Sequence, residues 1–142
     1  MGDPRKLRKK YSKPKHPWQA ARIAAERPLM HEYGLKNKKE IWKAQSSLKK
    51  FTNQAKLLST IKNEHQEREK QQLINRLIKL GLLEKWKDRE DVLGLNLRNI
   101  LDRRLQTLAF KKGLAKTANQ ARQLIVHGHV AINGQKITVP SY

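Results

Sequence analysis

Residues 121–134 read "ARQLIVHGHVAING", and the spacing of apolar residues changes period halfway through. Up to His127 the spacing is helical. Ala118, Ala121, Leu124 and Ile125 fall on one face, and Asn119, Gln120, Arg122, Gln123 and His127 on the other. Thr117, three residues ahead of Gln120, gives this helix a capping box in which each side chain satisfies a free backbone amide. Gly128 is the residue type that closes a helix in the left-handed conformation. Beyond it, "HVAINGQKITV" alternates with period two around Asn133-Gly134, the pair that suits a type I′ hairpin turn. That turn sets the register: Val130, Ile132, Ile137 and Val139 cover the helices, while His129, Ala131, Lys136 and Thr138 face outward.

Upstream, residues 84–113 read "EKWKDREDVLGLNLRNILDRRLQTLAFKKG". Acids gather at Glu84, Asp88, Glu90 and Asp91 beside the turn signal Gly94, which places a domain boundary within residues 84–98. One helix follows and Gly113 ends it. Leu97, Leu101, Leu105, Leu108 and Ala109 share its buried face, and Arg103, Arg104, Thr107 and Lys111 lie opposite. Further back, "KKEIWKAQSSLKKFTNQAKLLSTI" carries Ile41, Leu48, Phe51, Ala55, Leu58 and Ile61 along one stripe of a surface helix. "QQLINRLIKLGLL" repeats the pattern with Leu73, Ile74, Leu77, Ile78 and Leu80 and stops at Gly81. The polar "KNEHQEREKQQ" between them is a solvated helix surface or a short connector.

The 142 residues include 32 Lys and Arg against 12 Asp and Glu, a formal charge of +20. Self-repulsion on that scale implies a polyanionic partner, nucleic acid or an anionic surface. With 37% hydrophobic residues, no stretch approaches the length of a spanning helix and no secretion signal follows the basic start, so a soluble intracellular protein is expected. Cysteine is absent, which excludes disulfides and cysteine zinc sites. His127 and His129 lack further ligands for a metal. The opening "MGDPRKLRKKYSKPKHPW" sets Arg5, Lys6, Arg8, Lys9, Lys10, Lys13 and Lys15 against Asp3 and is broken by Pro4, Pro14 and Pro17. It is an extended arm that orders on phosphate. Trp18, Trp42 and Trp86 are expected in the core rather than stacked on bases.

In the C-terminal unit, Arg122, Gln123, His127, His129 and Lys136, with Arg103, Arg104 and Lys116 nearby, make one basic, hydrogen-bonding surface. Cations supply phosphate contacts there, and amides and imidazoles reach phosphate or 2′-hydroxyl groups, which suits folded RNA better than a DNA major groove.

The stretch "RRLQTLAFKKGLAKT…ARQLIVHGHVAINGQKITVPSY" closely resembles the RNA-binding module of the "S four" family of small-subunit ribosomal proteins. "MGDPRKLRKKYSKPKHPW" and "YGLKNKKEIWKAQ" resemble the N-terminus of its archaeal and eukaryotic branch. The resemblance implies a structural protein of the small subunit. Such a protein is a primary binder of a multi-helix junction in the 5′ domain of small-subunit RNA, acting early in assembly near the messenger entry path. It further implies RNA-facing roles for Arg103, Arg104, Lys116, Thr117, Gln120, Arg122, Gln123, His127, His129 and Asn133. It also implies a module that continues past Tyr142. The chain departs from the family pattern at Gln106 and Ala118, and it lacks the zinc-binding cysteines of some bacterial relatives.

The expected architecture is α+β. Residues 1–28 form a basic extended arm, 29–98 a helical rRNA-binding region, and 99–142 a module of two helices and a β-hairpin. Lys111 and Lys136 join the RNA-binding set, with Arg5, Lys6, Arg8, Lys9 and Lys10 of the arm. No cofactor, metal, membrane or small-molecule substrate is expected, and the partners are small-subunit rRNA and neighbouring ribosomal proteins in the cytoplasmic ribosome. No glycine-rich phosphate loop or separate catalytic domain supports an enzyme. The alternatives are a pre-ribosomal processing factor of the same family, or an RNA-modifying enzyme that carries such a module.

Overall fold

A computed structural model describes residues 9–60, 64–83 and 89–142. In chain order the elements are α1 (Ala20–Glu32), α2 (Lys38–Thr60), α3 (Glu64–Lys79), α4 (Arg89–Leu93), α5 (Leu97–Asp102), α6 (Leu105–Lys111), α7 (Ala118–Val126), β1 (Ala131–Ile132) and β2 (Gln135–Lys136). The fold is mainly helical with one antiparallel hairpin, the expected α+β class.

Helix α2 is long because its apolar stripe serves two cores in succession. Its first half buries Ile41 and Ala44 with Tyr33, Leu35 and Leu101, against which Leu29, Met30, Trp42, Leu97 and Ile100 pack. Its second half buries Ala55 with Leu73 and Leu77 of α3, Leu83, Val92 of α4, and Leu95, flanked by Leu48, Phe51 and Leu58. Gly81 follows α3 with positive φ, as its position suggests. Leu80, placed on the apolar stripe by spacing, is exposed beyond the helix end. Residues 64–72 belong to α3, and residues 65–72 are its exposed or half-buried polar surface. Ile61, Glu84, Trp86 and Asp88 lie outside the described residues.

A third core forms the C-terminal module. Leu105, Ala109, Ala115, Ala121 and Ile125 are buried, with Leu124, Val130, Ile132 and Ile137 packed on them. Asn133 and Gly134 have φ of 49° and 79°, the left-handed pair of a type I′ turn, and the register pairs Ile132 with Gln135 and Ala131 with Lys136. Val130, Ile132 and Ile137 therefore face the helices as the turn dictates. Val139 does not: it lies beyond the two-residue strand and is 51% exposed.

Several expectations need correction. The arm is not extended to residue 28, because α1 begins at Ala20 and runs through Pro28 to Glu32. Arg22 anchors its start by donating to the carbonyls of His16 and Pro17 at 3.3 and 2.7 Å. The helix expected over residues 97–111 is two helices, α5 and α6, because Arg104 is extended (φ −68°, ψ 142°). Chain from far downstream takes the place of the missing helical turn: the amides of Leu105 and Gln106 donate to the carbonyls of Tyr142 and Pro140 at 2.9 and 3.2 Å. The Thr107 hydroxyl, expected outward, is buried and donates to the Leu101 carbonyl at 2.8 Å. A boundary at residue 98 would cut α5, whose Leu97, Ile100 and Leu101 belong to the core around Ile41. Trp42 packs on that core, while Trp18 is 89% exposed.

Candidate nucleic-acid interface

Helix α7 presents the polar face through its caps. Thr117 Oγ1 accepts from the Gln120 amide at 3.1 Å, and Gln120 Oε1 accepts from the amide of Lys116, one residue outside the expected box, at 2.8 Å. Two residues assigned to RNA thus spend those side-chain oxygens in holding the helix start. Past Gly128 the chain doubles back so that the rings of His127 and His129 lie 6.3 Å apart. The Lys136 stem crosses directly over Gly128, filling the space a Cβ would need. Lys116, Gln123, His127, His129, Asn133 and Lys136 are all exposed. Their side chains have no hydrogen-bond or ion-pair partner among the described residues. Along one polar run, from the start of α7 to the second strand, these side chains can meet phosphate, 2′-hydroxyl or base edges.

The arginines expected on the same surface behave differently. Arg122 Nη2 and Nη1 donate to the two carboxylate oxygens of Glu40 at 2.8 and 3.2 Å, and Arg104 Nη2 reaches Glu40 Oε2 at 2.6 Å. Arg104 is buried rather than outward. Burial of Glu40 by itself raises its pKa, but the hydrogen bonds and charges of Arg122 and Arg104 outweigh that and hold the carboxyl below its usual range. Arg122 Nη1 also touches Gln106 Oε1 at 3.4 Å. Gln106, buried inside the module, uses Nε2 toward the carbonyls of Tyr33, Gly34 and Ala118 at 3.2, 2.9 and 3.0 Å. The departure from the family pattern at Gln106 is therefore a bond between the turn after α1 and the start of α7. That turn comes so close that a Cβ at Gly34, where φ is +56°, would meet Asn119 Oδ1 at 2.7 Å.

Arg103 is exposed, and its Nε donates to the Leu80 carbonyl at 3.0 Å, closing the end of α3. Lys111 pairs with Asp102 at 2.9 Å. Asp102 also accepts from the Tyr33 hydroxyl at 3.1 Å, and burial together with that carboxylate pushes the phenol up to about 12. Lys9 and Lys10 are exposed, and Arg5, Lys6 and Arg8 lie outside the described residues. Sequence spacing finds the exposed run but gives no sign of the internal partners of Arg103, Arg104, Arg122 and Lys111, which are the Leu80 carbonyl just past α3, Glu40 on α2 and Asp102 on α5. Glu40, the residue that claims two of them, carries no local signal beyond being the one acid on a lysine-rich helix start. Among the described residues no cluster of His, Cys, Asp and Glu fits a metal, and no helix is long and apolar enough to cross a membrane.

The S4 domain family matches residues 103–142, beginning at the break between α5 and α6. The small ribosomal subunit protein uS4 of Methanothermobacter thermautotrophicus is 48% identical over 142 residues, covering all of this chain and 83% of that protein. The chain belongs to the uS4 family. Two more uS4 proteins, from Ignicoccus hospitalis and Methanococcus aeolicus, are 50% and 54% identical, again over the whole chain and 86% and 81% of their own lengths. The uS4 likeness is archaeal in type and includes α1 to α5 as well as the S4 domain.

Proposed function

We propose that this chain is a structural, non-catalytic component of the small ribosomal subunit. It binds small-subunit ribosomal RNA directly, at a multi-helix junction of the 5′ domain, early in assembly and beside neighbouring ribosomal proteins. It works in the cytoplasm, within the ribosome. Membership of the uS4 family supports the subunit, and the charge of +20 supports a polyanion as the ligand. One observation carries the RNA contact. Helix α7 and the hairpin spend one side on the module's core and leave Lys116, Gln123, His127, His129, Asn133 and Lys136 open on the other. The basic arm, with Arg5, Lys6, Arg8, Lys9 and Lys10, adds phosphate contacts.

The test is filter binding of the purified protein to 5′-domain RNA and to an equally long 3′-domain fragment at physiological salt. The expected result is binding to the 5′-domain RNA that is at least about a hundredfold tighter, and that weakens for His127→Ala combined with Lys136→Ala. Equal affinity for both fragments would overturn the junction assignment.

A further inference from the structure

Asn133 is the one non-glycine residue with positive φ among the described residues, and Gly134 follows it at the tip of the hairpin. Both are exposed, the Gly134 amide donates to no carbonyl among the described residues, and open space surrounds Gly134 where a side chain would stand. The chain has seven other asparagines, each followed by a residue that carries a side chain. Only at Asn133 does the next backbone nitrogen belong to glycine, whose missing Cβ lets that nitrogen approach the side-chain carboxamide. We infer that Asn133-Gly134 is a site of spontaneous deamidation, through which the chain registers time spent outside its RNA complex. The timing role rests on the RNA-binding reading above, whereas the chemistry of the site does not.

The Gly134 nitrogen loses its proton and attacks Cγ of Asn133. A new bond between that nitrogen and Cγ closes a succinimide ring, and the bond from Cγ to the side-chain nitrogen breaks as ammonia leaves. Water then opens the ring at either carbonyl. Opening at the side-chain carbonyl leaves aspartate, and opening at the main-chain carbonyl leaves isoaspartate, whose main chain runs through the former side chain. Water is the sole co-reactant.

Attack requires the Asn133 backbone to rotate out of the type I′ conformation, so a firmly held hairpin protects the pair. This hairpin is held by two residue pairs, Ala131 with Lys136 and Ile132 with Gln135, and its turn projects beyond Ile132 and Ile137, which pack on the core. Pairing so short opens locally at little cost. A polyanion seated along His129, Asn133 and Lys136 keeps the turn closed, because the opened form cannot hold it equally well. Both products place a negative charge in the exposed run that contains His129 and Lys136, and isoaspartate also lengthens the main chain by a methylene, which disturbs the register set by the turn. The change therefore falls on the face proposed to receive phosphate.

Two incubations of the full chain at neutral pH test this, with asparagine conversion followed by peptide mass spectrometry. In the free protein, Asn133 should convert at least about tenfold faster than any other asparagine of the chain, to a mixture of aspartate and isoaspartate. Isoaspartate is the signature of the ring, since direct hydrolysis of the side chain leaves aspartate alone. With small-subunit 5′-domain RNA at about ten times its Kd, conversion at Asn133 should slow by about tenfold. Conversion of Asn133 no faster than that of the other asparagines, or to aspartate alone, overturns the deamidation site. Fast conversion that bound RNA leaves unchanged overturns the timing role. A chain that binds no RNA overturns the RNA-binding reading and the timing role with it, while the free-protein incubation still decides the site.

Discussion

Glu40 holds two guanidinium groups within 2.8 Å of a carboxylate that is only 14% exposed, an arrangement that is stable only while the carboxylate is charged. Removing one partner strands the others away from water, so Glu40→Ala should lower stability by about 3 to 5 kcal/mol, measured by thermal or denaturant unfolding. Arg122→Ala should cost about 1.5 to 3 kcal/mol, because Arg104 still satisfies part of the carboxylate. Spacing on the α7 wheel predicts the opposite for Arg122, an outward residue whose loss leaves the melting temperature alone. The carboxyl also sets a pH dependence. Its pKa is depressed in the fold, so its stabilisation is complete above the unfolded value near 4.5 and is lost as pH falls below that toward the folded value. Melting temperature should drop more steeply below about pH 4.5 in the parent than in Glu40→Gln. A parallel decline in both would show that other carboxylates dominate acid unfolding. None of this pairing is legible locally, since the partners of Glu40 lie 64 and 82 residues away.

At the level of elements, the hairpin and α7 were readable because each is specified within a few residues. A β-branched side chain at Gly134, with φ at +79°, is strained, so Gly134→Val should cost about 1 to 3 kcal/mol by thermal melting. The start of α6 was not readable, because its amides are satisfied by carbonyls more than thirty residues downstream. Helix α1 was hidden for a different reason. "AARIAAERPLMHE" carries no apolar stripe; alanine propensity sustains it, and its one buried residue is Glu26, bonded to Arg22 at 2.8 Å and Trp42 at 3.2 Å. The same region divides the arm in two. Deletion of residues 1–10, which leaves the contacts of Ser12 and Arg22 in place, is the reference for the longer truncation. Deleting residues 1–17 removes Ser12, whose amide donates to Ser46 Oγ at 3.0 Å, and the two carbonyls that hold Arg22. That deletion should cost about 1 to 2 kcal/mol. Equal melting of the two truncations would mean these contacts contribute nothing in solution.

For the molecule as a whole, composition already speaks to the partner: a charge of +20 on 142 residues predicts a logarithmic salt slope for RNA binding of at least about −4 in magnitude. Filter binding across a salt series measures it, and a nearly flat dependence would sink the electrostatic account. Composition does not reveal how the charge is allotted. Arg103, Arg104, Arg122 and Lys111 each hold an internal partner that a count of charges does not show. The three apolar cores are likewise visible only as separate stripes in the chain. The stripe of α2 joins the first two, and what ties the third to them is polar: Gln106 and Glu40 link the module to the turn after α1 and to α2.

The bonds from Leu105 and Gln106 to Tyr142 and Pro140 also impose an order in time. A chain made from its N-terminus exposes α1 to α5 first, and the cores around Ile41 and Leu77 are complete once residue 101 is available. Helix α6 must wait for residues 140–142 before its leading amides find acceptors, so its start is closed only after those residues have been made. During that interval the arginines around Glu40 are not yet shielded, and a nascent subunit RNA would meet the helical half of the protein before it meets a finished module.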